Sequence, residues 1–242
     1  MSDLFARYQR QIMLPEIGIV GQEKLKQASV LFIGAGGLAC PGLLYLAACG
    51  VGKIGMIDFD SIEPSNLHRQ ILYGQNDLGK LKALVAQDKL QTLHPNCQVI
   101  AHTSKLDASN AISICEEYNL IIDASDNLET RYIIEATCKQ LNLPWVFAAI
   151  HKYEGQISVF NHEPLRTQYS DVFPKNDKKQ AVLNCAEAGV LGILPGIVGS
   201  LQANEALKII LQLGDVLSGT MLCYNALSNV FYTIKTQNNS PQ

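Results

Sequence analysis

The stretch Ala28–Asp60, ASVLFIGAGGLACPGLLYLAACGVGKIGMIDFD, reads as a strand, a glycine turn, a helix and a second strand. That order is a mononucleotide-binding βαβ unit. An apolar run from Val30 to Ile33 ends in Gly34, Gly36 and Gly37, and Ala39, Gly42, Ala47 and Ala48 give the helix small residues able to lie close on a sheet. Without Cβ atoms the glycines let the backbone turn tightly and bring its N–H groups, with the positive helix end, against an anionic ligand. The second strand ends in Asp58 and Asp60, where a carboxylate meets ribose hydroxyls. GAGGLA departs from the dinucleotide fingerprint G-x-G-x-x-G, since Gly37 comes early and Ala39 takes the last place, so the glycines alone also fit an ordinary turn.

Downstream, an irregular segment holding SNLHRQ precedes a predicted helix from about Lys80 to Leu93, ended by His94-Pro95. A strand at Gln98–Ala101, a helix near Ala108–Glu117 and a strand at Leu120–Asp123 follow. This alternation predicts an α/β fold, a Rossmann-like doubly wound sheet that is parallel at its centre. Asp126 and Asn127 sit just past the last of these strands, where residues face the ligand crevice, and they equally suit the cap of a helix over Leu128–Leu141.

From Pro144 the pattern changes. WVFAAI reads as a buried strand, and EGQISVF alternates like an antiparallel one. A polar stretch over about Asn161–Asn184 leads to a helix striped with Gly189, Gly192, Gly196, Gly199 and Ala203, in which Pro195 either starts the main helix or kinks an earlier turn. Strands near Thr220–Asn225 and Val230–Ile234 close the chain. One continuous domain over 1–242 is expected, with a nucleotide-binding half at 1–150 and a second half at 151–242. Upstream, Arg7, Tyr8, Arg10 and Gln11 lie on an N-terminal arm that is helical again at Gln22–Gln27.

Composition narrows the function classes. A chain of 242 residues with 48% hydrophobic and 17% charged residues is globular, and a net charge of −3 gives no footprint for nucleic acid. The uncharged run Ala188–Asn204 holds a proline and four glycines, which argues against a membrane span. MSDLFARYQRQ lacks the apolar core of a signal peptide, so a cytoplasmic location is expected. None of the seven cysteines is spaced as C-x-x-C, which signals neither a disulfide framework nor a zinc site.

The polar residues fit ATP better than NAD. Asn66, Arg69 and Lys82 supply polar and cationic groups beside the glycine loop, and Asp126 supplies a carboxylate at a neighbouring strand end. A reaction at the α-phosphate needs cations on the phosphates and a carboxylate for Mg²⁺; a dehydrogenase needs neither.

RYQRQ, GAGGLA, DFDSIEPSNLHRQ, GKLK, DASDN and NCAEAGVLGILPGIVGSLQANEALK resemble, in order from Arg7 to about Lys208, the ThiF/MoeB/HesA family of adenylyltransferases, relatives of ubiquitin-activating enzymes. The resemblance implies ATP- and Mg²⁺-dependent adenylation of the C-terminal Gly-Gly carboxylate of a small ubiquitin-like sulfur-carrier protein. The acyl-adenylate would then become a thiocarboxylate for thiamin or molybdopterin synthesis, the pathway being left open. It places Gly34, Gly36, Gly37, Asp58 and Asp60 on the nucleotide, with Asp58 on the ribose. Ser65, Asn66, Leu67, His68 and Arg69 form a contact segment in which Asn66 and Arg69 meet the phosphates. Lys82 also holds phosphate, and Asp126, followed by Asn127, binds Mg²⁺. Arg10 is expected to reach the site of a neighbouring subunit, which implies a homodimer.

Cys185 stands where ThiF-like members carry a cysteine that can bond to the carrier or its sulfur; an unremarkable free thiol is the other reading. The loop over about 161–184 is where the family closes over the carrier's tail. A separate sulfur donor is implied, because no rhodanese-like extension is present. Two departures stand out. QYSDVFP puts Gln168 and Asp171 where many members have zinc cysteines, and no cysteine follows Cys223, so no zinc is expected. GKLK has Leu81 where proline is more usual. The competing readings are an NAD-binding oxidoreductase, which leaves Arg10, Arg69, Lys82 and Asp126 unexplained, and a non-catalytic carrier-binding scaffold.

Overall fold

The computed structural model describes residues 3–175 and 189–236. Its sheet has eight strands in the order β3-β2-β1-β4-β5-β6-β7-β8. Strands β1 (Ser29–Ile33), β2 (Lys53–Ile57), β3 (Gln98–His102), β4 (Leu120–Asp123) and β5 (Trp145–His151) run parallel. Strands β6 (Glu154–Phe160), β7 (Thr220–Asn225) and β8 (Val230–Lys235) extend the sheet antiparallel, as the alternation in EGQISVF predicts. The order reverses between β1 and β4, which pair directly, and a crevice opens past their carboxyl ends.

Both faces of the central strands are covered, so those strands are mostly apolar. On β1, Val30 and Phe32 join one core and Leu31 and Ile33 the other. The first core holds Leu43 and Leu46 of α3 (Ala39–Cys49), Ala83 and Ala86 of α4 (Lys82–Leu93), and Leu194 and Val198 of the long helix Leu194–Leu211. The second holds Cys115 of α5 (Ala111–Cys115), Ile134 of α6 (Leu128–Leu141) and Tyr169 of α7 (Tyr169–Val172). The long helix is α8 in chain order.

The N-terminal arm is two helices, α1 (Asp3–Ile12) and α2 (Gly18–Gln27), and it binds the carboxyl ends of α3 and α4. The side-chain amides of Gln11 and Gln22 donate to the Cys49 carbonyl at 3.1 and 3.0 Å, and Arg7 Nη2 donates to the Leu93 carbonyl at 2.8 Å. These are carbonyls that a helix end leaves without intrahelical partners.

The glycine stripe needs one correction. Gly189 and Gly192 precede α8 rather than lying in it, because Pro195 occupies the first turn, the place where its missing N–H costs nothing. Within α8, a Cβ on Gly199 would collide with the Leu38 carbonyl oxygen and lie 2.8 Å from Pro41 Cγ. The stripe therefore lets α8 touch the amino end of α3.

The QYSDVFP stretch is held by packing and hydrogen bonds. Tyr169 is buried against Trp145, Phe147, Phe160 and Phe173, with ring centroids 4.7–5.9 Å apart. Asp171 Oδ2 accepts from the Gln168 amide at 2.8 Å, and Glu135 Oε1 accepts from the Ser170 amide and hydroxyl at 2.9 and 2.7 Å. Cys185 and the part of the expected 161–184 loop from 176 onward lie outside the described residues.

Candidate active site

The crevice at the β1/β4 switch is a cavity of about 460 Å³. Its wall includes Gly34, Gly36, Gly37, Asp58, Asp60, Asn66, Arg69, Lys82, Asp126 and Asn127, so most of the residues expected on the nucleotide converge there.

The glycine loop is built to face an anion. Gly34 has φ +100°, and a Cβ there would meet the Ala124 carbonyl oxygen at 2.7 Å, so only glycine joins the end of β1 to the loop after β4. The Gly34 amide donates to the Ile57 carbonyl at 2.9 Å and the Ala35 amide to Asp58 Oδ2 at 2.8 Å. The next three amides, of Gly36, Gly37 and Leu38, donate to no acceptor among the described residues, and they sit on the cavity wall at the amino end of α3. A Cβ on Gly36 would meet only Gln70 Nε2, at 3.7 Å, so this glycine leaves open space above the backbone. Free amides at a helix amino end form a phosphate cradle.

Asp58 and Asp60 tie three elements together. Asp58 Oδ1 accepts from the Asp60 amide at 2.8 Å while its other oxygen holds the loop. Burial pushes the Asp58 carboxyl up from its usual range, and the two backbone donors with the Lys82 charge pull it back. Lys82 opens α4, where a cation opposes the helix dipole, yet its side chain is 8% exposed. Asp60 Oδ2 holds its ammonium at 2.8 Å, with the Asp60 side chain 51% exposed.

Asn66 is buried and its Oδ1 accepts from the Glu63 amide at 3.1 Å, fixing the SNLHRQ turn. Arg69 Nη1 donates to the Ser65 carbonyl at 2.7 Å and lies 2.9 Å from His68 Nε2; no carboxylate pairs with Arg69 among the described residues. Its charge is thus aimed but uncompensated. Ser65, Leu67 and His68 are not on the cavity wall. Ser65 and His68 support Arg69, and Leu67 packs on the core. Arg10 is exposed on the last turn of α1 and does not line this chain's own cavity.

Asp126 lines the same cavity and is exposed, and its contact is a long one from Asn127 Nδ2 at 3.5 Å. Asn127 caps α6, accepting from the Thr130 amide at 2.9 Å, so its side chain does the structural job its sequence position allows. Among the described residues no group of three or more His, Cys, Asp or Glu could hold a metal ion. A lone carboxylate sharing a cavity with free loop amides still fits Mg²⁺, which keeps several waters and takes its other ligands from one or two carboxylates and substrate phosphates.

The sequence did not single out Arg131, which also lines the cavity. Its Nε donates to Asp123 Oδ2 at 3.1 Å, with Asp123 completely buried. Burial pushes the Asp123 carboxyl up, and Arg131 with Ser125 pulls it down. Gln70 and Lys105 were missed as well.

A family model described as "ThiF family" matches residues 8–242. A sulfur carrier protein adenylyltransferase of Thermus thermophilus is 48% identical over 237 residues, covering 96% of this chain and 88% of the relative. A relative named probable molybdopterin-synthase adenylyltransferase, from Porphyra purpurea, is 46% identical over 96% of this chain, which spans 60% of that protein's length. The crystal structure of E. coli MccB with ATP superposes with a TM-score of 0.84 over 97% of this chain and 72% of MccB, at 22% identity, a likeness of fold. By sequence match and by its adenylyltransferase relatives, the chain belongs to the ThiF family and is an adenylyltransferase.

Proposed function

We propose that the protein uses ATP and Mg²⁺ to adenylate the C-terminal Gly-Gly carboxylate of a small ubiquitin-like sulfur-carrier protein, of the thiazole or molybdopterin type. A separate donor then supplies sulfur. The observation that carries this reading is the meeting, in one cavity, of three free loop amides, the uncompensated Arg69, Lys82 and the solvent-facing Asp126. The names of the relatives supply the carrier class.

The reaction is an in-line displacement. A carboxylate oxygen of the carrier bonds to the α-phosphorus as the bond from that phosphorus to the bridging oxygen breaks, and pyrophosphate leaves. An ionised carboxylate needs no general base, so catalysis is positioning and charge stabilisation. The Gly36, Gly37 and Leu38 amides hold the phosphates, and Asp58 orients the ribose. Lys82 and Arg69 take up charge on the departing oxygens. Asp126 would hold Mg²⁺, which supplies charge neutralisation on the phosphates when bound.

ATP–pyrophosphate exchange with purified protein and each carrier type is the direct test. Exchange dependent on one carrier is the expected result and names the pathway; ATP binding without exchange for either leaves the carrier assignment unsupported. The same reading makes the protein a homodimer in which Arg10 serves the neighbouring site. Mixing Arg10→Ala protein with Asp126→Ala protein is then expected to restore exchange through hybrid dimers. No restoration, with subunit exchange confirmed, removes the shared site.

A further inference from the structure

Asp126 is the exposed tip of a loop whose other polar groups are tied down from beneath. The Ala124 amide donates to the Ile33 carbonyl at 2.9 Å. The Ser125 amide and hydroxyl both donate to Asp123 Oδ1, at 2.9 and 2.5 Å. Arg131 spans the turn, donating from Nε to Asp123 Oδ2 at 3.1 Å and from Nη2 to the Ser125 carbonyl at 3.1 Å. Its guanidinium also lies 5.1 Å from the centre of the Phe147 ring.

The opposite face is held by Gln202 of α8. Its Nε2 donates to the Asp123 carbonyl at 2.6 Å and to the Val146 carbonyl at 3.0 Å, bridging the ends of β4 and β5. Gln202 Oε1 is buried with no hydrogen-bond partner among the described residues, and Gln202 is 1% exposed. An unpaired buried amide oxygen and a buried ion pair are both costly, and an apolar core would avoid both costs. What the arrangement provides is a fixed position for the two residues that follow Asp123.

We propose that Arg131 and Gln202, gripping Asp123 by its side chain and by its carbonyl, are positioning residues that aim the Asp126 carboxylate at the metal-binding position opposite the glycine loop. The assignment rests on the ATP and Mg²⁺ reading above. Arg131 acts through Ser125 and the backbone, and Asp123, being wholly buried and fully engaged, is not itself a cation ligand.

The test measures ATP affinity by calorimetry with and without Mg²⁺, on the full chain. Arg131→Lys keeps the charge opposite Asp123 but lacks the fork that also reaches Ser125. Gln202→Met keeps the side chain's volume but gives up the bonds to the Asp123 and Val146 carbonyls, so it decides the matter if Arg131→Lys does not fold. Asp126→Asn serves as the reference for loss of the metal response. Both positioning variants are expected to keep metal-free ATP affinity within about twofold of the parent, while the gain on adding Mg²⁺ shrinks about tenfold, the scale of lost support behind a metal ligand. A parent whose affinity ignores Mg²⁺ overturns the underlying reading and this assignment with it. A parent that responds, beside folded variants that respond equally or that lose metal-free affinity to the same extent, overturns the assignment alone.

Discussion

Lys82→Met is expected to lower ATP–pyrophosphate exchange by about 10²–10³-fold, the cost of removing one group that stabilises charge developing in the transition state. The melting temperature is expected to move by no more than about 3 °C. The two effects separate because of where each partner sits. Lys82 is 8% exposed, but the Asp60 carboxylate it pairs with is 51% exposed and stays hydrated when the ammonium is gone. Methionine fills the space of the alkyl stem, so no cavity opens. Lys82 differs in this from Arg131, whose partner Asp123 has no exposed surface to fall back on. Exchange at the parent rate would remove Lys82 from the phosphate site; a large drop in melting temperature would show that its place is structural.

Lys82 also shows how far the chain could be read without coordinates. The strand-turn-helix pattern around Gly34 was legible because a left-handed residue at a strand end is a local requirement, visible in the residue type itself. Asp58 and Asp60 were legible as carboxylates at a strand end for the same reason. Their partners were not. Lys82 reaches Asp60 from 22 residues along the chain, and the Ala35 amide reaches Asp58 from 23 residues back. Such pairings depend on how α4 and the loop lie on the sheet. Arg131 carries no local signal, because its partner Asp123 lies on β4 and the contact depends on how α6 folds back. The signal available at longer range was its position eight residues after a buried strand-end aspartate, which lets a helix bring it back under its own loop. Gln202 was equally readable, as a polar side chain in a helix made mostly of small and apolar residues. Of the two roles the sequence allows Pro195, the structure takes the first, a place in the opening turn of α8, which leaves Gly189 and Gly192 of the stripe outside the helix.

Gly199→Ala is expected to destabilise the protein by about 1–3 kcal/mol, the scale of overpacking in a close-packed interior. The sign is the reverse of what an open helix would give, where Gly→Ala gains about 1 kcal/mol. At position 199 the new methyl would press on the Leu38 carbonyl and on Pro41, and neither is the movable end of a long side chain. Leu38 is the N-cap of α3 and follows Gly37, so a shift that relieves the clash also moves the loop amides proposed to hold phosphate. A loss of ATP affinity is therefore expected alongside the loss of stability. Gly196→Ala is the internal control, one turn earlier in the same helix, where a Cβ would meet nothing nearer than Ile193 Cδ1 at 3.9 Å. There the ordinary helix preference should prevail, leaving thermal unfolding unchanged or slightly raised and ATP binding as in the parent. Equal behaviour of the two variants would mean that α8 can slide on α3 without cost. In that case the approach at Gly199 would not be what couples the glycine helix to the nucleotide loop.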